Sequence, residues 1–169
     1  MSRVGVSYTR EHEGFVISPM TEHDLLEVVE IEETCGLSLW GWDAYRTELE
    51  RPESLMLVAQ RPAQDFQSAK RVSAFIAARV NAGELHINNI GVRAEARRRG
   101  LGKALLGLAL DFGRQAGAEF SILEVRAGNS AAQYLYASLG YALAGRRHNY
   151  YRQPAEDALV MTMRLGARA

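Results

Sequence analysis

A chain of 169 residues, 47% apolar and 24% charged, is long enough for one domain with a full core. Its 20 basic side chains balance 20 acidic ones, which excludes general nucleic-acid or membrane-surface binding as the main role, because that work needs a positive excess. A lone cysteine, Cys35, excludes an internal disulfide and a cysteine metal cage, and the scattered His12, His23, His86 and His148 offer no close ligand pair for a metal.

Residues 1–14 are polar and read as a flexible tail, with residues 15–169 as a single domain. Mixed charges near the N-terminus and the lack of any long apolar run speak against a secretory signal or a membrane span, so a soluble cytoplasmic protein is expected. Phe15 to Met20 reads as a short strand. Thr21 and Asp24 suit the start of a helix whose apolar side carries Leu25, Val28, Val29 and Ile31. Cys35 to Gly41 is a loop, and Asp43 can cap a second helix holding Tyr45 and Leu49. Ser54 to Ala59 is a buried-looking strand, Arg61 to Arg71 a polar hairpin loop, and Val72 to Val80 and Glu84 to Val92 are two more strands.

Leu101, Ala104, Leu105, Leu108 and Phe112 fall at helical spacing, and Gly117 ends that helix. Phe120 to Val125 is a strand. Ser130 and Gln133 form a capping box for a helix ending at Gly140. Tyr141 to Arg146 and Ala158 to Arg164 are the last strands, joined by a polar loop from Arg147 to Ala155. Hairpins mixed with helical crossovers imply an α/β (α+β) architecture: a mixed central sheet of about seven strands flanked by about four helices.

The segment from Asn89 to Leu106 is the most informative. A strand enters a basic, glycine-containing turn that opens a helix. Unpaired N–H groups at a helix start suit a phosphate, and Gly100 and Gly102 let an anion approach the backbone. Arg97, Arg98, Arg99 and Lys103 add positive charge at the end where the helix dipole disfavours it, a local cost that a bound polyphosphate would offset. The spacing is neither a P-loop nor a dinucleotide fingerprint. The competing reading is a solvated basic turn before an amphipathic helix.

Arg97-Arg98-Arg99-Gly100-Leu101-Gly102 resembles the [RQ]-x-x-G-x-[GA] pyrophosphate loop of the GNAT superfamily, and Ile90-Gly91-Val92 resembles that family's bulged strand. The resemblance implies acetyl-CoA as co-substrate. It also implies that Ile90, Gly91, Val92, Arg97, Arg98, Arg99, Gly100, Leu101, Gly102 and Lys103 bind it, with backbone groups of the strand beside the thioester. A second stretch, L-E-V-R-A-x-N-x-A-A then L-Y-x-S-L-G-Y, with Asn149-Tyr150-Tyr151 and Glu156-Asp157-Ala158 further on, is similar to the RimI-like protein N-terminal acetyltransferases. These motifs span roughly residues 15–164.

Acetyl transfer to an amine needs a base for the amine proton and an acid for the departing thiolate. A neutral amine is required, and near pH 7 roughly a tenth of an α-amine is neutral against well under a thousandth of a lysine amine. The resemblance casts Glu124 as the base and Tyr136 as the acid, with transfer direct through a ternary complex. Structural readings stand beside these roles: Glu124 as the partner of Arg126 or Arg79, and Tyr136 as packing. Asn129 is either a helix cap or a coenzyme contact, and Cys35 reads as a packing residue. For the acceptor, the resemblance implies Trp40, Tyr150 and Tyr151 around the first residues of a peptide. A ribosomal protein N-terminus is the favoured partner, and neither nucleic acid nor membrane is expected to bind directly. A small amine as acceptor, or a regulatory acetyl-CoA-binding module without turnover, are the alternatives. Gly91 stands where alanine is more usual, and the polar arm before Phe15 has no counterpart in the family pattern.

Overall fold

Residues 8–61 and 71–166 are described by a computed structural model. In chain order they form β1 (Arg10–His12), β2 (Phe15–Pro19), α1 (Leu25–Thr34), α2 (Gly41–Leu49), β3 (Ser54–Gln60), β4 (Val72–Asn81), β5 (Glu84–Val92), α3 (Leu101–Gln115), β6 (Phe120–Arg126), α4 (Ser130–Ser138), β7 (Ala142–Arg152) and β8 (Ala155–Arg164). One sheet has the order β1-β2-β3-β4-β5-β6-β8-β7, antiparallel throughout except for the parallel pair β5–β6. Most of the loop expected between Arg61 and Arg71 lies outside the described residues.

β3 and β4 are nearly continuous apolar runs because helices cover both their faces. Leu55, Leu57, Ala74 and Ile76 face a core shared with Leu101, Leu105, Leu106 and Ala109 of α3 and Tyr136 of α4. The alternate residues Met56, Val58, Phe75 and Ala77 face Leu25, Val28 and Ile31 of α1 and Tyr45 of α2. Two buried carboxylates lock the α1–α2 side. Glu32 accepts from the N–H groups of Trp40 (3.0 Å) and Gly41 (3.1 Å) and from the Tyr45 hydroxyl. Glu48 accepts from Ser54 and from Arg79 Nε (2.7 Å), joining α2 to β3 and β4.

Five expectations need correction. α2 starts at Gly41, and its free N–H groups are met by Glu32 from α1; Asp43 lies within the first turn. Asn129 caps α4 by accepting from Ala132 N–H at 3.1 Å, while Gln133 donates to the carbonyls of Arg126 and Ala127, so there is no Ser130–Gln133 box. Residues 10–12 are not a tail: they pair with β2 as an edge strand, where polar side chains are tolerated because one flank faces solvent. That strand brings the count to eight. Finally, much of 147–155 belongs to a long edge hairpin. Its ladder is interrupted between Arg147 and Tyr151, where Asp157 accepts from the Asn149 N–H at 2.9 Å.

Candidate active site

β5 and β6 pair from Glu84↔Phe120 to Ile87↔Leu123 and then separate. β5 continues to Val92 against β4 alone, and β6 continues to Arg126 against β8 alone. The gap is a cleft of about 730 Å³. A bulge at Asn88, between the pairs Ala78↔Ile87 and Ala77↔Asn89, marks the same point. It re-aims the strand. Leu85 and Ile87 pack toward α3 before it; afterwards Asn89 turns the other way and donates to the Tyr45 hydroxyl (2.8 Å) and the Ser38 carbonyl (2.9 Å).

The open edge of β5 has a definite polarity. Arg93 N–H donates to the Ser73 carbonyl at 2.8 Å. Bonded pairs alternate along an antiparallel ladder, so Gly91 also turns its backbone groups to β4, while Ile90 and Val92 present theirs to the cleft. Gly91 serves by having no side chain: a Cβ there would lie 2.8 Å from Ile31 Cγ2 and 3.1 Å from Leu37 Cδ1. The Val92 carbonyl accepts from Arg97 Nε at 3.2 Å.

The basic turn closes the far end of the cleft. Gly100 precedes α3 in the left-handed region (φ +71°), which glycine adopts without steric cost, and no side chain caps the helix. Gly100, Leu101, Gly102 and Lys103 line the cleft together with Arg97 and Arg98. Among the described residues neither Arg98 nor Lys103 has a carboxylate partner. Arg99 stands apart, with its guanidinium over the Phe15 ring at 5.8 Å.

Glu124 is the first β6 residue beyond the last rung shared with β5, and it lines the cleft. Its side chain is 22% exposed and pairs with Arg147 at 3.3 Å, rather than with Arg126 or Arg79. Tyr136 lines the same cleft from α4 and packs edge-on against Tyr141. Its hydroxyl has no hydrogen-bond partner among the described residues, yet no buried polar atom there is left unpaired, so that hydroxyl meets the cleft. Burial, then the neighbouring Tyr141 and Tyr151, push its pKa above the usual tyrosine value. The phenol therefore keeps its proton at neutral pH. Asn129, besides capping α4, lines the cleft too.

A second hollow of about 310 Å³ adjoins the cleft and is walled by Leu37, Ser38 and Leu39 on one side and Tyr150, Tyr151 and Arg152 on the other. Trp40 lines neither space; its ring packs, tilted, 5.2 Å from that of Tyr45 against the α1–α2 core. Arg126 lines both spaces, and the motif reading gave it no role in the site. Its position two residues after Glu124 on the same face of β6 was the available signal.

The profile of the acetyltransferase (GNAT) family matches residues 25–141. The chain belongs to that family. It is 32% identical over 155 residues to the N-alpha-acetyltransferase RimI of Mycobacterium tuberculosis, covering 90% of this chain and 94% of that protein. To the ribosomal protein bS18-alanine N-acetyltransferase of Salmonella typhimurium it is 42% identical over 95 residues, 55% of this chain and 64% of that one. The crystal structure of the ribosomal-protein-S18-alanine N-acetyltransferase from Escherichia coli matches with a TM-score of 0.74 at 29% identity, covering 92% of this chain and 96% of that chain.

As a GNAT enzyme the chain is an acetyl-CoA-dependent N-acetyltransferase. The cleft fits that co-substrate on its own features. A helix start without a side-chain cap, beside Arg98 and Lys103 that have no carboxylate partner among the described residues, suits a diphosphate, and a free strand edge suits the amides of a pantetheine arm. No helix of the described residues is long and apolar enough to cross a membrane.

Proposed function

We propose that the chain acetylates the α-amine of a protein N-terminus, with a ribosomal protein as the favoured acceptor, by direct transfer in a ternary complex. The observation that carries this reading is the placement of Glu124 and Tyr136 on one cleft, from β6 and α4, where the two central strands part.

Acetyl-CoA supplies an activated thioester. Arg98, Lys103 and the N–H groups at the start of α3 hold its diphosphate, and the open edge of β5 holds the arm. Glu124, held by Arg147 at 3.3 Å, accepts the proton of the incoming ammonium. Tyr136 keeps a proton ready for the departing sulfur. Ile90 and Val92 supply the N–H groups that stabilise the developing oxyanion. Tyr150 and Tyr151 enclose the first residues of the acceptor, offering flat apolar area and hydroxyls together. Arginines on β7, Arg146, Arg147 and Arg152, make this wall unsuited to a polycationic small amine.

Thiol release from acetyl-CoA with a panel of short peptides tests the proposal, including one with the first residues of ribosomal protein bS18. Release that disappears when the peptide α-amine is blocked is the expected result. Turnover confined to small amines would overturn it.

A further inference from the structure

The N-terminal hairpin has a use of its own. His12 Nε2 lies 2.8 Å from the Arg99 carbonyl oxygen. A carbonyl only accepts, so Nε2 carries the hydrogen and donates it. Phe15, the residue that pairs with His12 across the β1–β2 hairpin, carries the Arg99 guanidinium over its ring at 5.8 Å. The hairpin thus holds Arg99 by backbone and side chain at once. Gly100 is close by as well: a Cβ there would sit 3.2 Å from His12 Nε2.

The held carbonyl belongs to the same peptide unit as the Gly100 N–H. A trans peptide is planar, with its C=O and N–H directed oppositely. Fixing the Arg99 carbonyl on the hairpin therefore turns the Gly100 N–H away from it, at a residue that lines the cleft. Glycine on either side of a freely rotating peptide would let that unit flip; a hydrogen bond from a paired strand prevents it. We infer that His12 is a positioning residue for acetyl-CoA: it sets the Arg99–Gly100 peptide so that its N–H donates to the diphosphate. The role rests on the reading that this turn seats the diphosphate.

The test titrates the full chain with acetyl-CoA and with S-acetylpantetheine, which has no diphosphate, by calorimetry. His12→Ala is expected to bind acetyl-CoA about five-fold more weakly, the size of one lost hydrogen bond, with affinity for S-acetylpantetheine unchanged. His12→Gln, whose amide Nε2 can reach the same carbonyl, is expected to recover the affinity. Wild-type acetyl-CoA affinity in His12→Ala would overturn the inference. So would an equal loss for both ligands, which would mark general damage, or no recovery in His12→Gln. If the wild-type protein itself binds both ligands equally, the seat of the diphosphate is misplaced and the underlying reading fails instead.

Discussion

Arg126 Nε donates to the Gly36 carbonyl at 2.7 Å, joining the strand that carries Glu124 to the loop that leaves α1. The same guanidinium donates to the carbonyls of Gln153 (3.1 Å) and Pro154 (2.9 Å), pairs with Glu156 (3.3 Å), and lies 4.2 Å from the centre of the Tyr151 ring. One side chain thus fixes both walls of the second hollow. Arg126→Ala is expected to raise the KM for a peptide acceptor about ten-fold, with acetyl-CoA affinity unchanged. It should also cost about 2–4 kcal/mol in urea unfolding, since a mostly buried charge network loses its centre. Lysine offers no planar fork and should not substitute.

Glu124→Gln keeps the shape of the side chain and removes the base. A fall in kcat of roughly 10²–10⁴-fold is expected, with acetyl-CoA affinity within two-fold or so of wild type, read by stopped-flow thiol release and calorimetry. Unchanged kcat removes Glu124 from the reaction.

Tyr136→Phe tests the acid. The hydroxyl meets the cleft without a partner among the described residues, so the variant should unfold within about 0.5 kcal/mol of wild type while kcat falls by at least about ten-fold. Because burial holds the Tyr136 pKa above its ordinary value, the wild-type kcat profile should show no decline from loss of this proton below about pH 10.

Four tyrosines share that upward shift, all chiefly through burial: Tyr45, Tyr136, Tyr141 (pushed up to about 12) and Tyr151. The unfolded chain loses phenolic protons near pH 10, whereas the folded chain retains them to higher pH. Above the unfolded value the native state binds more protons, so stability falls as pH rises. Urea midpoints should be level across pH 8–9 with respect to these groups and drop steeply between about pH 10 and 12. A flat profile through that window would contradict the burial of these hydroxyls.

Two glycines of the cleft should respond oppositely to alanine. At Gly91 the new methyl meets Ile31 at 2.8 Å, so Gly91→Ala should cost about 1–3 kcal/mol in denaturant unfolding. At Gly102 it meets Leu135 at 3.6 Å, ordinary contact in the first turn of α3, and Gly102→Ala should leave stability unchanged or raise it by up to about 1 kcal/mol.

Much of this architecture is legible in the chain. Apolar patterning marks β2 to β6, α1 and α3, because those segments bury an apolar face; the cap residues that mark α2 and α4 in the sequence, Asp43 and Ser130, do not serve as the caps. Edge strands escape the same logic. β1 and the outer half of β7 are held by backbone pairing with few buried side chains, and their polar residues read as loop. Of the residues singled out through the family resemblance, Arg97, Arg98, Gly100 to Lys103, Glu124 and Tyr136 line the cleft, whereas Arg99 does not. The contributions of Glu32 and Arg126 were not, since each acts on partners far away in sequence: Glu32 on Asn89, and Arg126 on Gly36 and Gln153. Trp40 misled for a related reason: its neighbours suggest an exposed loop aromatic, yet Tyr45, five residues on in α2, gives it a core partner.

The central sheet is stitched across its middle by only a short parallel seam, from Glu84↔Phe120 to Ile87↔Leu123, and beyond it two half-sheets stand with facing edges unlaced. An extended molecule with amide groups, laid between them, completes the lacing. On the proposed reading the donor is a structural rung as well as a reagent. Its departure as the free thiol product would leave the β5 and β6 tips to move independently, and amide exchange at Ile90 and Val92 should quicken whenever the cleft empties.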